Sequence, residues 1–237
     1  EIYQILGFTD LVYTLSLRDP NNKTKYVGTD ENWGKAEEYL RQALKKRKVE
    51  FKEYEGEAAF YGPKIDVKAR DVLGREWQLA TIPQVDYNMP ERFDRHYIDD
   101  KGEKTRPVIL HRAVYGSFER FMGLLIEHFA GAFPTWLSPV QAQVLPVAES
   151  HQSYAIEVVE MLKEQGVRSE LVGHEDTLGK RIRNAEKMKI PYMIVVGDDE
   201  VGKDLVNVRS RKTGKQESLK LDSFVKEIVR EIEERAL

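Results

Sequence analysis

The segment Phe133-Pro134-Thr135-Trp136-Leu137-Ser138-Pro139 constrains this chain more than any other stretch. Proline holds φ at about −65°, has no N–H to donate and pushes the residue before it into extended backbone. Two prolines within six residues forbid a helix from running through, so the polypeptide is expected to fold as two pieces. With 237 residues in all, each piece has the size of an ordinary domain. The expected division is 1–135 and 136–237.

The two pieces read differently. Over 10–18, Leu11, Tyr13, Leu15 and Leu17 alternate with polar or smaller residues, the mark of a half-buried strand. Over 32–47, Trp33, Ala36, Tyr39, Leu40 and Leu44 share one helical stripe, with Asp30 or Glu31 near its start. Strands are predicted at 49–54, 64–70 and 76–82, the last two joined by the turn Asp71-Val72-Leu73-Gly74. A short apolar strand at 108–111 precedes a helix at 117–130. Downstream, strands at 142–147, 167–172 and 192–196 alternate with helices at 152–165 and 178–189. A hairpin over 205–211 and 217–220 and a helix at 223–235 complete the pattern. The first piece predicts an antiparallel-rich α+β unit, the second an α/β domain of ~100 residues. Residues 1–7 read as the end of a helix, and the chain is expected to be part of a longer protein.

Composition excludes several kinds of function. Apolar residues at 41% and charged residues at 32% fit a folded chain, not a disordered one. The longest apolar stretch, Met193 to Val196 with its flanks, is far short of the ~20 residues that span a bilayer. No charged-then-apolar leader opens the chain, so no membrane partner and a cytoplasmic location are expected. The absence of cysteine excludes disulfides, thiolate metal sites and thiol nucleophiles within these residues. A net charge of −3 offers nucleic acid no global attraction. Locally, Lys180, Arg181, Arg183, Lys187 and Lys189 crowd one segment, and Arg209, Arg211, Lys212 and Lys215 another. Such patches can dock phosphates because their field acts over roughly 8–10 Å; a solvated charged face is the plainer reading.

Chemistry concentrates around Gly116-Ser117-Phe118-Glu119-Arg120-Phe121. The helix beginning there carries Phe118, Phe121, Met122, Leu124, Leu125, Ile126 and Phe129 on nearly every side, which predicts burial. An arginine in its first turn then needs an anion. That anion is a phosphate drawn by the helix N-terminus, or else an internal acid such as Glu119 or Glu127. His111, ending an apolar run, is either a metal ligand or a hydrogen-bonded core residue. Tyr61-Gly62-Pro63-Lys64 sets a hydroxyl and an ammonium at a strand entry, which an ordinary turn would also explain. Simple alternation through Trp77-Gln78-Leu79-Ala80-Thr81 sends Gln78 opposite to Trp77 and Leu79.

Taken in order, Phe60-Tyr61-Gly62-Pro63-Lys64-Ile65, Trp77-Gln78, Leu110-His111-Arg112-Ala113, Gly116-Ser117-Phe118-Glu119-Arg120-Phe121 and Phe133-Pro134-Thr135-Trp136-Leu137-Ser138-Pro139-Val140-Gln141 resemble the signatures of the threonyl-tRNA synthetases, a class II family. The resemblance runs over the whole chain. It implies a class II synthetase-like partial catalytic domain over 1–135, α+β and antiparallel, followed over 136–237 by an α/β anticodon-binding domain with a mixed sheet. It implies ATP-dependent charging of tRNA(Thr) with threonine, using ATP with magnesium and a zinc ion, in a homodimer. Arg120 and Lys64 take catalytic roles by this resemblance, and Gln78, Thr81, Ser117 and Arg120 line the ATP site. Tyr61 and His111 meet threonine, His111 being one of three zinc ligands. Glu200 and Arg209 fall where anticodon bases are read, with Lys180, Arg181 and Arg183 positioning phosphates.

The departures matter as well. The other two zinc ligands of the family, a cysteine and a histidine, and its first two motifs lie outside these residues, so the chain alone is expected to be inactive. Thr81-Ile82-Pro83-Gln84 carries one residue more than the family's threonine-x-glutamine run, leaving the place of Gln84 open. Two rival readings stand beside this one: a non-catalytic synthetase-like tRNA-binding module, and a relative that charges another amino acid such as proline, histidine or glycine.

Overall fold

The computed structural model describes residues 1–237, the side chain of Lys23 excepted. In chain order the elements are α1 (Ile2–Ile5), β1 (Leu11–Leu17), α2 (Asp30–Lys46), β2 (Phe51–Glu55), β3 (Lys64–Arg70), β4 (Glu76–Asp86), α3 (Asn88–Arg92), β5 (Tyr97–Ile98), β6 (Lys104–Thr105), β7 (Ile109–Ala113), α4 (Phe118–His128), β8 (Ala142–Pro146), α5 (Gln152–Glu164), β9 (Ser169–Leu171), α6 (Leu178–Lys187), β10 (Tyr192–Val196), β11 (Leu205–Ser210), β12 (Gln216–Lys220) and α7 (Leu221–Glu233). Two compact units result, Phe8–Leu125 and a second that joins Glu1–Gly7 to Ile126–Leu237. Among the described residues no helix is long and apolar enough to cross a membrane.

In the unit Phe8–Leu125 the sheet runs β2-β1-β3-β4-β7, antiparallel apart from the β1–β2 pair. The amphipathic helix α2 lays Ala36, Leu40 and Leu44 on Leu15, Leu17, Ile65 and Val85. Thr29 caps it by accepting the Asn32 N–H at 3.2 Å, and acids in its first turn and lysines in its last suit the helix dipole. Tyr39, expected on the buried stripe, is 57% exposed. Strand β1 is more buried than alternation implied: Thr14, Leu15, Ser16 and Leu17 are all covered, because its polar face is an interior too. The expectation of a wholly buried α4 fails. Phe121, Leu124 and Leu125 are buried, whereas Phe118 (68% exposed), Met122 and Ile126 form an uncovered stripe. Apolar composition on every side fixes what a helix can bury, not how many neighbours it has.

The second unit holds a mixed sheet ordered β12-β11-β10-β8-β9, parallel through β10-β8-β9 and antiparallel at β11 and β12. On one face α5 and α7 bury Val144, Ile194, Val196, Phe224 and Ile228. Alternate strand positions, Leu145 and Met193, meet Ala185 of α6 on the other. The proline segment is tied to this unit. Thr135 donates to Glu231 at 2.7 Å, Gln141 to the Thr135 carbonyl at 2.9 Å, and Arg168 to the carbonyls of Trp136 and Ser138 at 2.9 and 2.8 Å. Arg211 donates to the carbonyls of Phe133 and Lys189.

Candidate active site and nucleic-acid interface

Strict alternation would put Gln78 and Thr81 on opposite faces of β4. The structure corrects this. Register shifts interrupt the ladder between Val67 and Lys68, between Lys64 and Asp66, and on the other side between Thr81 and Gln84. Each bulge inserts one residue and reverses the parity of the positions beyond it. Gln78, Thr81 and Gln84, three apart, therefore point the same way. Ile82-Pro83 lies within the last bulge, and Gln84 still pairs with both Lys64 and His111. The extra residue is absorbed locally.

The bulges gather a polar network around Asp66, a residue that local sequence pattern does not single out. Asp66 is 3% exposed. Its carboxylate accepts the Ser16 hydroxyl at 2.8 Å, the Gln78 amide at 2.6 Å, the Thr81 hydroxyl at 2.6 Å and the Lys64 ammonium. Gln78 also donates to Thr81 at 2.9 Å. Lys64, Gln78 and Thr81 are thus one cluster with a buried acceptor at its centre.

Farther along the same face, His111 Nε2 lies 2.9 Å from Oδ2 of Asp86, which is fully buried. The Tyr61 ring meets the imidazole edge-on at 5.2 Å. Gly62 allows the tyrosine loop to press against β4, since a Cβ there would sit 2.2 Å from the Val85 carbonyl oxygen. Among the described residues no group of three His, Cys, Asp or Glu is able to hold a metal. His111 by itself supplies one ligand.

Arg120 is exposed and makes no ion pair with any acid among the described residues. One of its N–H groups donates to the Gln78 carbonyl at 3.1 Å, and its guanidinium carbon lies 5.9 Å from the centre of the Trp77 ring. The neighbouring acid Glu119 instead accepts the Ser117 hydroxyl at 3.0 Å. Trp77 is not a core residue: its indole donates to Asp71 at 2.9 Å. Burial raises the pKa of Asp71, but the bonds from Trp77, Arg75 and Leu73 outweigh it and leave the carboxyl at about 2. Gly116, with φ of 58°, brings the loop against β4, where a Cβ would lie 2.4 Å from the Leu79 carbonyl oxygen.

In the second unit the expected base and phosphate contacts divide. Arg183 is exposed and without an ion pair among the described residues, and Lys180 is exposed beside Asp176 at 2.7 Å. Arg181 must be corrected. It is 4% exposed, its guanidinium donates to the carbonyls of Pro146 and Asp176 at 2.7 and 3.0 Å, and burial lowers its pKa. It ties α6 to β8 and has no free face for phosphate. Glu200 is also buried, accepting the Gly197 N–H at 2.9 Å within the turn after β10. Arg209 pairs with Glu186 at 2.7 Å. Its backbone lies opposite Met193 near the start of β10, whereas Glu200 comes after the end of that strand. The two are not brought together.

Residues 1–129 match the model of the tRNA synthetase class II core domain (G, H, P, S and T). The chain belongs to this family. Residues 141–231 match the anticodon binding domain. The threonine–tRNA ligase of Caldanaerobacter subterraneus subsp. tengcongensis is 51% identical over 99% of this chain, and that of Thermus thermophilus 48% identical over all of it. In both, the chain spans 36% of the relative's length. The crystal structure of the RNA binding domain of threonyl-tRNA synthetase from Cryptosporidium parvum Iowa II is 38% identical and superposes with a TM-score of 0.88, covering 97% of this chain and 56% of that one. The fold inferred from sequence, a class II core portion with an anticodon-type α/β domain, is therefore the fold of this family.

Asp66 and Asp86 are illegible in the sequence for the same reason. Each sits inside a run that reads as a strand or loop, with nothing local to mark a buried carboxylate.

Proposed function

We propose that the chain is the C-terminal part of a threonine–tRNA ligase, which activates threonine with ATP and magnesium and passes it to tRNA(Thr). In this reading Arg120 holds the ATP phosphates, with Ser117 beside it at the start of α4. Gln78 and Thr81 line the nucleotide. Lys64, held by Asp66, adds positive charge without drifting into solvent. Tyr61 and His111 bound the threonine end of the same sheet face. Such a site works by positioning and by stabilising charge as it develops.

His111 would be one ligand of a zinc ion, the others coming from parts of the protein outside these residues. A zinc ion, when bound, supplies two positions for the amine and hydroxyl of threonine, which valine cannot fill. On the RNA side, Arg183 and Lys180 would meet phosphates, Arg209 a base edge once released from Glu186, and Glu200 a base only if its turn opens. The functional division between catalysis and RNA reading is proposed at 135/136, in a cytoplasmic homodimer.

The observation that supports this most is the state of Arg120: a cation on the first turn of an apolar helix, paired with no acid among the described residues, beside a polar sheet face. In the full-length protein, Arg120→Ala is expected to lower threonine-dependent ATP–pyrophosphate exchange on the order of 10²–10³-fold. Exchange within twofold of the parent would overturn the role given to Arg120, and a full-length parent without exchange would overturn the reading, leaving a tRNA-binding module. The 237 residues alone are expected to support no exchange.

A further inference from the structure

We infer that Asp86 is the positioning residue for His111, and that it presents Nδ1, not Nε2, to the metal. The inference rests on the zinc reading above. Asp86 ends β4 and is fully buried. Its Oδ1 accepts the backbone N–H groups of Asn88 and Met89, both at 2.9 Å, at the start of α3. Its Oδ2 faces Nε2 of His111 at 2.9 Å. With one oxygen committed to two backbone donors, the carboxylate cannot rotate.

A carboxylate accepts and does not donate, so Nε2 carries a proton, and in the neutral imidazole that binds a metal Nδ1 carries the lone pair. Nδ1 has no hydrogen-bond partner among the described residues. The side chain is 39% exposed and its plane is braced by Tyr61. An imidazole fixed by a carboxylate through one nitrogen and bare at the other is an oriented, single-point metal ligand. The loop carrying Tyr61 is held in turn by Gln84, cross-strand neighbour of His111, which donates to the Gly62 carbonyl at 3.2 Å.

Asp86→Asn in the full-length protein tests this. The asparagine is isosteric and keeps its oxygen for Asn88 and Met89, which forces its NH₂ toward His111. Nε2 must then accept, the proton moves to Nδ1, and the nitrogen facing the metal loses its lone pair. The parent is expected to hold one zinc per chain. By chelator competition the variant is expected to bind zinc about 10–100-fold more weakly, with an unchanged circular-dichroism spectrum. Equal zinc affinity in both proteins overturns the inference and leaves the functional reading intact; a parent that binds no zinc overturns both. Should the variant not fold, a crystal structure of the zinc-loaded parent decides: Nδ1 on the metal is expected, and Nε2 on the metal overturns the inference.

Discussion

The sheet of the Ile126–Leu237 unit is covered on both faces by apolar side chains, Val144, Ile194 and Phe224 on one and Leu145, Met193 and Ala185 on the other. The sheet of the Phe8–Leu125 unit buries Leu15, Leu17, Ile65 and Val85 under α2. Its other face carries Ser16, Lys64, Asp66, Gln78, Thr81, Gln84 and His111, several of them buried. The first arrangement leaves charged side chains such as Arg183 to helix surfaces and turns. The second puts polar side chains inside the sheet, where each buried polar group must find a partner and is oriented by it.

The largest effects expected test whether the two interiors are equally structural. Asp66→Ala strands a half-buried lysine and three further donors, and is expected to cost about 3–5 kcal/mol. Phe224→Ala empties an apolar core and is expected to cost about 3–5 kcal/mol. Urea unfolding checks both. Replacing Lys64 by methionine together with Asp66→Leu is expected to recover part of the first loss, because the unpaired ammonium is removed while Ser16, Gln78 and Thr81 still lack their acceptor. If the pair behaves no better than Asp66→Ala, the contrast between the two interiors fails.

A smaller effect separates two arginines of α6 that lie almost side by side in sequence. Arg181→Ala leaves two carbonyls short of donors and is expected to cost about 1–3 kcal/mol, with the salt dependence of tRNA binding unchanged. Arg183→Ala is expected to stay within about 0.5 kcal/mol in stability and to reduce the salt slope by about 1. The opposite pattern would return Arg181 to the interface.

The smallest effect is confined to the turn between β3 and β4. Asp71 titrates at about 2 in the folded chain, below its ordinary 3.8. Its carboxylate therefore stabilises the fold above about pH 4, and that contribution is lost as pH falls toward 2. The Trp77 indole N–H resonance is expected to report the change, and Asp71→Asn to abolish it.

Much of this was written in local pattern. The stripe Trp33, Ala36, Leu40 and Leu44 marked α2, and the alternation of strands and helices after Pro139 marked the second domain, because periodicities of 3.6 and 2 survive any tertiary context. The motif residues Lys64, Gln78, Thr81 and Arg120 were legible as a set. Their geometry was not. Bulges in β4, set by pairing with β3 and β7, decided that Gln78, Thr81 and Gln84 share a face, and no rule of alternation contains that information.

Burial is the other quantity that sequence leaves open. Lys180, Arg181 and Arg183 belong to one basic run, yet Arg181 is sealed against the Pro146 carbonyl and the others face solvent. Phe118 and Phe121 are the same residue type one helical turn apart, and the first is exposed while the second is buried. Which side of an element is covered depends on segments far along the chain. Residue identity and spacing thus determined the elements, the family motifs and the kinds of group available; long-range packing decided which of those groups stand free to act and which hold the fold.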